Sequence, residues 1–183
     1  MTKALFIGTT GMLAKAAEHA AARADTCILA ARNASGFSFS KPAIDARTRK
    51  LDLDYEKAAR FLTLVRQHAP FDLALTWVRP QAEEMRNAIA RMMTKDALLV
   101  EVMGSASAKA GGFADRRAKA MRAFPHIRYA QVVLGFVIEG GTSRWLTHEE
   151  ISAAAIKALD TGAPRIRAGQ SGPWEKRPQE SGQ

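Results

Sequence analysis

Gly8, Gly11 and Ala14 follow the apolar run Ala4-Leu-Phe-Ile7 at intervals of three residues. These residue types, in this order, suit a turn that cradles a pyrophosphate. Gly8 lets a strand bend sharply into a helix. Gly11 has no side chain, so backbone can approach phosphate oxygens. Ala14 is small enough for the helix to lie close on the strand. Thr9, Thr10, Met12 and Leu13 complete the turn, and the helix start adds free N–H groups and a positive dipole end. The spacing is Gly-x-x-Gly-x-x-Ala rather than Gly-x-Gly-x-x-Gly, and a glycine turn after an apolar strand is often only a turn. Context separates the two readings. The run lies near the start of the sequence, and a second apolar strand ending in Ala30-Ala31-Arg32-Asn33 follows at the distance a dinucleotide site requires.

Arg32 bears on which dinucleotide. An acidic residue about 20 positions after such a turn bonds a ribose 2′-hydroxyl, whereas arginine suits a 2′-phosphate. No Asp or Glu occurs from Ile28 through Ile44, and Arg32, Asn33, Ser35, Ser38 and Lys41 populate the stretch instead. A guanidinium holds phosphate through two parallel hydrogen bonds. The expected cofactor is NADP (NADPH); the competing reading is a solvated arginine at a strand end.

The elements that must position these groups alternate along the chain. Strands are expected at Lys3–Gly8, Thr26–Ala31, Lys50–Leu53, Leu73–Trp77 and Ala97–Met103, within His126–Ile138, and over Arg165–Arg167. Helices are expected at Met12–Ala24, Tyr55–His68, Gln81–Met93 and Lys109–Phe124, and from Thr147 to Leu159. Residues 33–49 show no clean helical period, so the crossover helix there is short or missing. Thr147 and Glu150 form a capping box, flanked by Leu146 and Ile151 as a hydrophobic staple. Such alternation gives an α/β, doubly wound, mainly parallel sheet of Rossmann-like type with helices on both faces. One domain is expected over residues 1–169, with a polar tail at 170–183. The ligand crevice belongs at the carboxyl ends of the strands: residues 8–14, 31–38, 52–54, 77–80, 103–107 and 136–145.

Composition excludes several classes. With 47% hydrophobic and 25% charged among 183 residues, the chain reads as a soluble globule. The run Val132–Ile138 is too short to span a bilayer, and no leader segment is expected ahead of the first strand, which points to the cytoplasm. Cys27 stands alone, so no intrachain disulfide forms. The net charge of +9 is partly local: Lys109, Arg116, Arg117, Lys119, Arg122 and Arg128 face only Asp115. A solvated basic helix face is the default reading, and nucleic-acid binding ranks well below it without interleaved aromatics. His19, His68, His126 and His148 lack metal-ligand spacing.

By these marks the chain resembles the short-chain dehydrogenase/reductase family, as an atypical, shortened member, over roughly residues 3–160. Gly8-Thr-Thr-Gly-Met-Leu-Ala14 is similar to that family's glycine turn, and Arg32 to the basic residue of its NADP-preferring types. Asp52-Leu53 resembles its adenine-contacting pair. Phe71–Trp77 resembles its fourth strand, but Trp77 stands where an Asn-Asn-Ala-Gly run usually begins. Leu99-Val-Glu-Val-Met-Gly104-Ser105 resembles its fifth strand, with Gly104 at the cofactor and Ser105 near the catalytic serine. Leu134–Ile151 is similar to a segment of small bacterial short-chain dehydrogenases. The resemblance also implies a homodimer through the helices near 81–93 and 109–124.

One departure changes the expected chemistry. The family's acid is a tyrosine followed four residues later by lysine. Here Tyr55 is followed by Ala59 and Tyr129 by Val133. The expected activity is therefore an NADP-dependent oxidoreductase whose small substrate needs no Tyr–Lys pair, such as a flavin, a quinone or an activated double bond. A non-catalytic NADP sensor is the alternative. Ser105 could bond a carbonyl. The segment Glu139-Gly-Gly-Thr-Ser-Arg-Trp145 could form a flexible lid, in which Arg144 and Trp145 meet an anionic or planar substrate. Trp145 could equally anchor the next helix, and Trp77 could stack on the cofactor or only fill the wall.

Overall fold

The computed structural model describes residues 1–54, 56–108 and 111–178. Tyr55, Lys109 and the last five residues of the expected tail lie outside the described residues. Seven strands form one parallel sheet: β1 (Lys3–Ile7), β2 (Thr26–Ala31), β3 (Thr48–Asp52), β4 (Phe71–Trp77), β5 (Met93–Met103), β6 (Arg128–Leu134) and β9 (Arg165–Ala168). Their spatial order is β3-β2-β1-β4-β5-β6-β9. The order reverses between β1 and β4, so the switch point lies where the glycine turn begins.

Helices cover both faces. α1 (Ala14–Ala21) and α6 (His148–Thr161) pack on one face, through Ala16, Ala17 and Ala20 against Ala155 and Ala158. Alanine brings these helices close, and Ser152 Oγ donates to the Met12 carbonyl at 2.8 Å, tying α6 to the start of α1. α3 (Ala58–Arg66), α4 (Glu83–Arg91) and α5 (Phe113–Met121) cover the other face, where Phe61, Val65, Met85, Ile89 and Met121 are buried. The crossover after β2 carries only the five-residue α2 (Pro42–Ala46), as its broken periodicity predicts. Residues 4–7 of β1 are fully buried, which follows from a central parallel strand covered on both faces.

The strand expected within His126–Ile138 is β6, and the apolar run Val132–Ile138 extends beyond it. Gly135 interrupts it, because the Gln170 carbonyl crosses 2.0 Å from where a Cβ would stand. The chain continues as β7 (Phe136–Glu139), which pairs antiparallel with β8 (Thr142–Trp145). The expected lid at 139–145 is thus a hairpin, turned by Gly140 and Gly141 at φ +56° and +84°. A two-residue turn with both φ positive matches strand twist, and glycine adopts it without strain. The polar tail expected at 170–183 starts against the hairpin strand β7. Gln170 bridges to Phe136, and a short 3-10 turn at Trp174–Lys176 follows. No helix among the described residues is long and apolar enough to cross a membrane.

Candidate functional site

Gly8 takes φ +68°, and a Cβ there would meet the Trp77 carbonyl at 2.5 Å. Backbone conformation and close approach to β4 both require glycine. Gly11 has no neighbour within 4 Å of its Cβ position. That is the open cradle a phosphate needs beside the first turn of α1. Thr10 lines the crevice, whereas the Thr9 and Leu13 side chains are fully buried and Met12 is half-buried. The side chains of Thr9 and Leu13 therefore serve packing, and those two positions can offer a ligand only backbone.

A crevice of about 750 Å³ opens at the switch point. Its lining includes Gly8, Thr10, Ala31, Arg32, Asn33 and Leu53, then Trp77, Val78, Arg86, Gly104, Ser107 and Phe113. It also includes two carboxylates, Asp54 and Glu56, of which Glu56 is paired with Arg79 at 2.7 Å. Arg32 is exposed, with no hydrogen bond or ion pair among the described residues. It also borders a neighbouring recess of about 310 Å³ with Asp52, Asp54, Lys57 and Arg60. Asp52 is occupied elsewhere. Its carboxylate accepts the Ser35 N–H at 2.8 Å, which closes the β2–β3 end and holds its pKa below the usual range. Ser35 is fixed by that contact and does not line the crevice.

Gly104 joins two spaces. The Trp77 ring lies 3.6 Å from its Cβ position, so Trp77 forms the wall between β4 and β5. Ser105 does not face the main crevice. It lines a second cleft of about 320 Å³ with Leu134, Trp145, Leu146, Ile151 and Arg177. The serine that lines the main crevice is Ser107, which is 3% exposed. The loop after β5 does reach the crevice, through Gly104, Ala106 and Ser107, but the 3-10 turn Ser105–Ala108 presents Ser107 to it rather than Ser105.

Arg144 does not line the crevice. Its guanidinium meets Glu150 at 2.9 and 3.1 Å and Glu139 at 3.1 Å. Two carboxylates hold it, and Glu150 also accepts the Thr147 N–H at 2.7 Å in the capping box. The cation expected to hold an anionic substrate is neutralised by the helix start beside it. Trp145 carries the Arg177 guanidinium 5.0 Å over its ring, so it belongs to the hairpin and the returning tail.

Sequence reasoning missed a buried charge cluster. Glu101, Arg86 and Arg117 are each 2% exposed or less. Arg117 donates to both Glu101 oxygens at 3.0 Å, and Arg86 Nη1 lies 3.4 Å from Glu101 Oε2. The Tyr129 hydroxyl donates to Glu101 Oε2 at 2.6 Å and accepts from Gln131. Burial, then Glu101, push the Tyr129 pKa well above its ordinary value. Arg117 thus leaves the basic face expected of α5, and Asp115 bonds Arg165 at 2.7 Å. The signal was present: Glu101 is a lone charge inside Leu99-Val-Glu-Val-Met103, and a charge inside a buried strand requires a partner.

No protein-family model matches the chain, and no curated protein sequence matches it. Solved structures do. A short-chain type dehydrogenase/reductase from Mycobacterium marinum aligns with TM-score 0.69 at 15% identity, over 92% of this chain and 93% of that one. An alcohol dehydrogenase from the archaeon Thermococcus sibiricus, complexed with 5-hydroxy-NADP, aligns with TM-score 0.62 at 14% identity, over 91% and 95%. A short chain dehydrogenase from Leptospira borgpetersenii with bound NAD+ aligns with TM-score 0.63 at 10% identity, over 92% and 91%. At such identities the likeness concerns fold. The fold is that of short-chain dehydrogenase/reductase structures, a single Rossmann-like domain.

Proposed function

We propose that this chain is an NADP-dependent oxidoreductase whose dinucleotide lies in the switch-point crevice and whose small substrate needs no Tyr–Lys pair. The observation that carries the reading is the switch-point crevice lined by Gly8 and Thr10 of the glycine turn and by Arg32, which has no hydrogen bond or ion pair among the described residues, with the open Gly11 position in the same turn. The residues fit the cofactor. The α1 start and Gly11 would hold the pyrophosphate, Leu53 would border the adenine, and Arg32 would meet the 2′-phosphate. Two of the similar structures carry NADP-type and NAD-type ligands respectively, so the preference for NADP rests on Arg32.

When bound, the nicotinamide supplies the hydride. The chain's own part is to orient and exclude water. Trp77 and Leu53 wall the crevice, and Ser107 offers a hydroxyl inside it. Tyr129 is sequestered on Glu101, away from the crevice. That observation favours either a substrate needing no tyrosine acid or the alternative of a non-catalytic NADP sensor. Calorimetry with NADPH and NADH tests the cofactor. NADPH oxidation with flavins, quinones and enones tests the activity: turnover of any of them supports the reductase, and tight NADPH binding without turnover of any supports the sensor. Equal affinity for the two cofactors would sink the NADP assignment.

A further inference from the structure

The Glu101 cluster is unbalanced. Arg86 and Arg117 present two guanidiniums to one carboxylate, all at most 2% exposed. Tyr129 donates to that carboxylate, so it contributes no negative charge. Arg117 makes the paired contact, with both Glu101 oxygens at 3.0 Å and Asn87 Oδ1 on its remaining side. Glu101 is therefore satisfied without Arg86. Arg86 gives two donors to the Val78 and Arg79 carbonyls. Its Nη1 is buried without a hydrogen bond, with Glu101 only within ion-pair range. Burial, most of all, and the facing Arg117 disfavour its charge, whereas Glu101 and then Tyr129 favour it, and the net effect lowers its pKa.

Arg86 is the member of the cluster that lines the crevice. It sits beside Val78, with the Phe113 ring 5.0 Å from its guanidinium carbon. Ser107 lines the same crevice, and no hydrogen bond engages its hydroxyl among the described residues. An uncompensated buried cation is costly, and removing a partner from such a cluster normally destabilises. A fold keeps one at a cavity wall where an anion completes it.

We propose that the crevice wall containing Arg86 binds the anionic group of the substrate, a carboxylate, with Arg86 as its counter-charge and Ser107 of the same lining as a second donor. The proposal rests on the reading of the same crevice as the dinucleotide site. It moves the anion-recognising role from Arg144 to Arg86.

The probe is benzoate against benzamide, which share a shape and differ in charge, titrated calorimetrically into the full chain with and without NADPH. Benzoate should bind about tenfold or more tightly than benzamide. Arg86→Met should erase that preference while the protein stays folded, because Glu101 keeps Arg117. Ser107→Ala should weaken benzoate by roughly threefold to tenfold and leave NADPH affinity unchanged. Equal binding of the two probes overturns the proposal, as does a preference that survives Arg86→Met. An Arg86→Met variant that cannot fold overturns it too, since Glu101 would then need both guanidiniums. NADPH affinity is read separately. If NADPH does not bind but benzoate is preferred, the cofactor reading fails and the anion site stands. If Arg86→Met weakens NADPH tenfold without any benzoate preference, the anion is the cofactor's own phosphate and the substrate site fails.

Discussion

Two parts of the sheet's carboxyl edge are built from similar residues and end in opposite states. Beyond β6, the hairpin β7–β8 and α6 place Arg144 between Glu139 and Glu150, and Trp145 under Arg177. Arg144, Glu139, Glu150 and Trp145 each have a partner there, and what looks reactive in sequence is structure. At the switch point the groups are left open. Among the described residues Arg32 has no hydrogen bond or ion pair, nothing stands within 4 Å of a Cβ on Gly11, and the Thr9 and Thr76 hydroxyls and Arg86 Nη1 are buried without a hydrogen bond. Buried polar groups in folded proteins are nearly always satisfied, so these exceptions are what the proposed ligand site would explain. The contrast teaches that reactive residue types do not locate a site; unmet valence does.

The contrast breaks most directly at the glycine turn. Gly11→Val adds a branched side chain where nothing stands within 4 Å. The fold should survive with its melting temperature nearly unchanged. NADPH affinity should fall by about a hundredfold or more, because the phosphate needs that space. Gly8→Val should act the other way. It forces a branched residue to φ +68° against the Trp77 carbonyl, so instability of about 1–3 kcal/mol should precede any binding defect. A folded Gly11→Val protein that binds NADPH normally would remove the phosphate from this turn.

The buried cluster sharpens the same comparison inside one group of residues. Arg117→Met takes the paired guanidinium from Glu101 and leaves a poorly matched buried pair. It should cost about 3–5 kcal/mol in denaturant unfolding, the usual penalty for breaking a buried ion pair. Arg86→Met should cost far less. If the two losses are equal, Arg86 is as structural as Arg117 and the crevice wall carries no spare charge.

At Arg32 the expected effect is smaller. Arg32→Ala should remove most of a tenfold to hundredfold preference for NADPH over NADH, since a charge-assisted hydrogen bond contributes about 1.5–3 kcal/mol. NADH affinity should hardly change. Because Asp52 is engaged with Ser35, it does not take over the ribose in the variant. Calorimetry with both cofactors reads the outcome directly.

How much of this was legible follows from the range of the forces involved. The glycine turn, the alternation and the α6 cap are local, and the structure keeps them: Thr147 accepts the Glu150 N–H at 3.2 Å and Glu150 returns the bond. The seven-strand parallel sheet follows from the same alternation. What sequence could not reveal is pairing across distance. Arg144 meets Glu150 because a hairpin brings β8 to the start of α6, and that hairpin depends on Gly135 yielding to Gln170. The choice between Ser105 and Ser107 depends on one 3-10 turn. Arg86, Glu101 and Arg117 come from a helix, a strand and another helix, so no window of sequence contains them together. Only the isolated Glu101 hinted that a cluster existed.

The smallest effect tests the paired side of the contrast. Arg144 lowers the Glu150 pKa from its ordinary 4.5 to about 2, helped by the Thr147 N–H. A depressed carboxyl pKa stabilises the folded state above its ordinary value, and that contribution fades as pH falls from about 4.5 through about 2. The pair is about 40% exposed at Arg144 and 37% at Glu150. Water screens such a pair, so its stability contribution should stay within about 1 kcal/mol. Arg144→Ala should therefore flatten part of the acid limb of the stability curve and change the neutral-pH melting temperature little. It should leave NADPH affinity within about twofold, because the guanidinium faces two carboxylates and not the crevice. Glu150→Gln should reproduce the flattened acid limb and weaken the α6 cap as well. A tenfold loss of NADPH affinity or turnover in Arg144→Ala, with the fold intact, would return Arg144 to the site. It would also make the hairpin part of the ligand's surroundings, and the two regions would no longer be opposites.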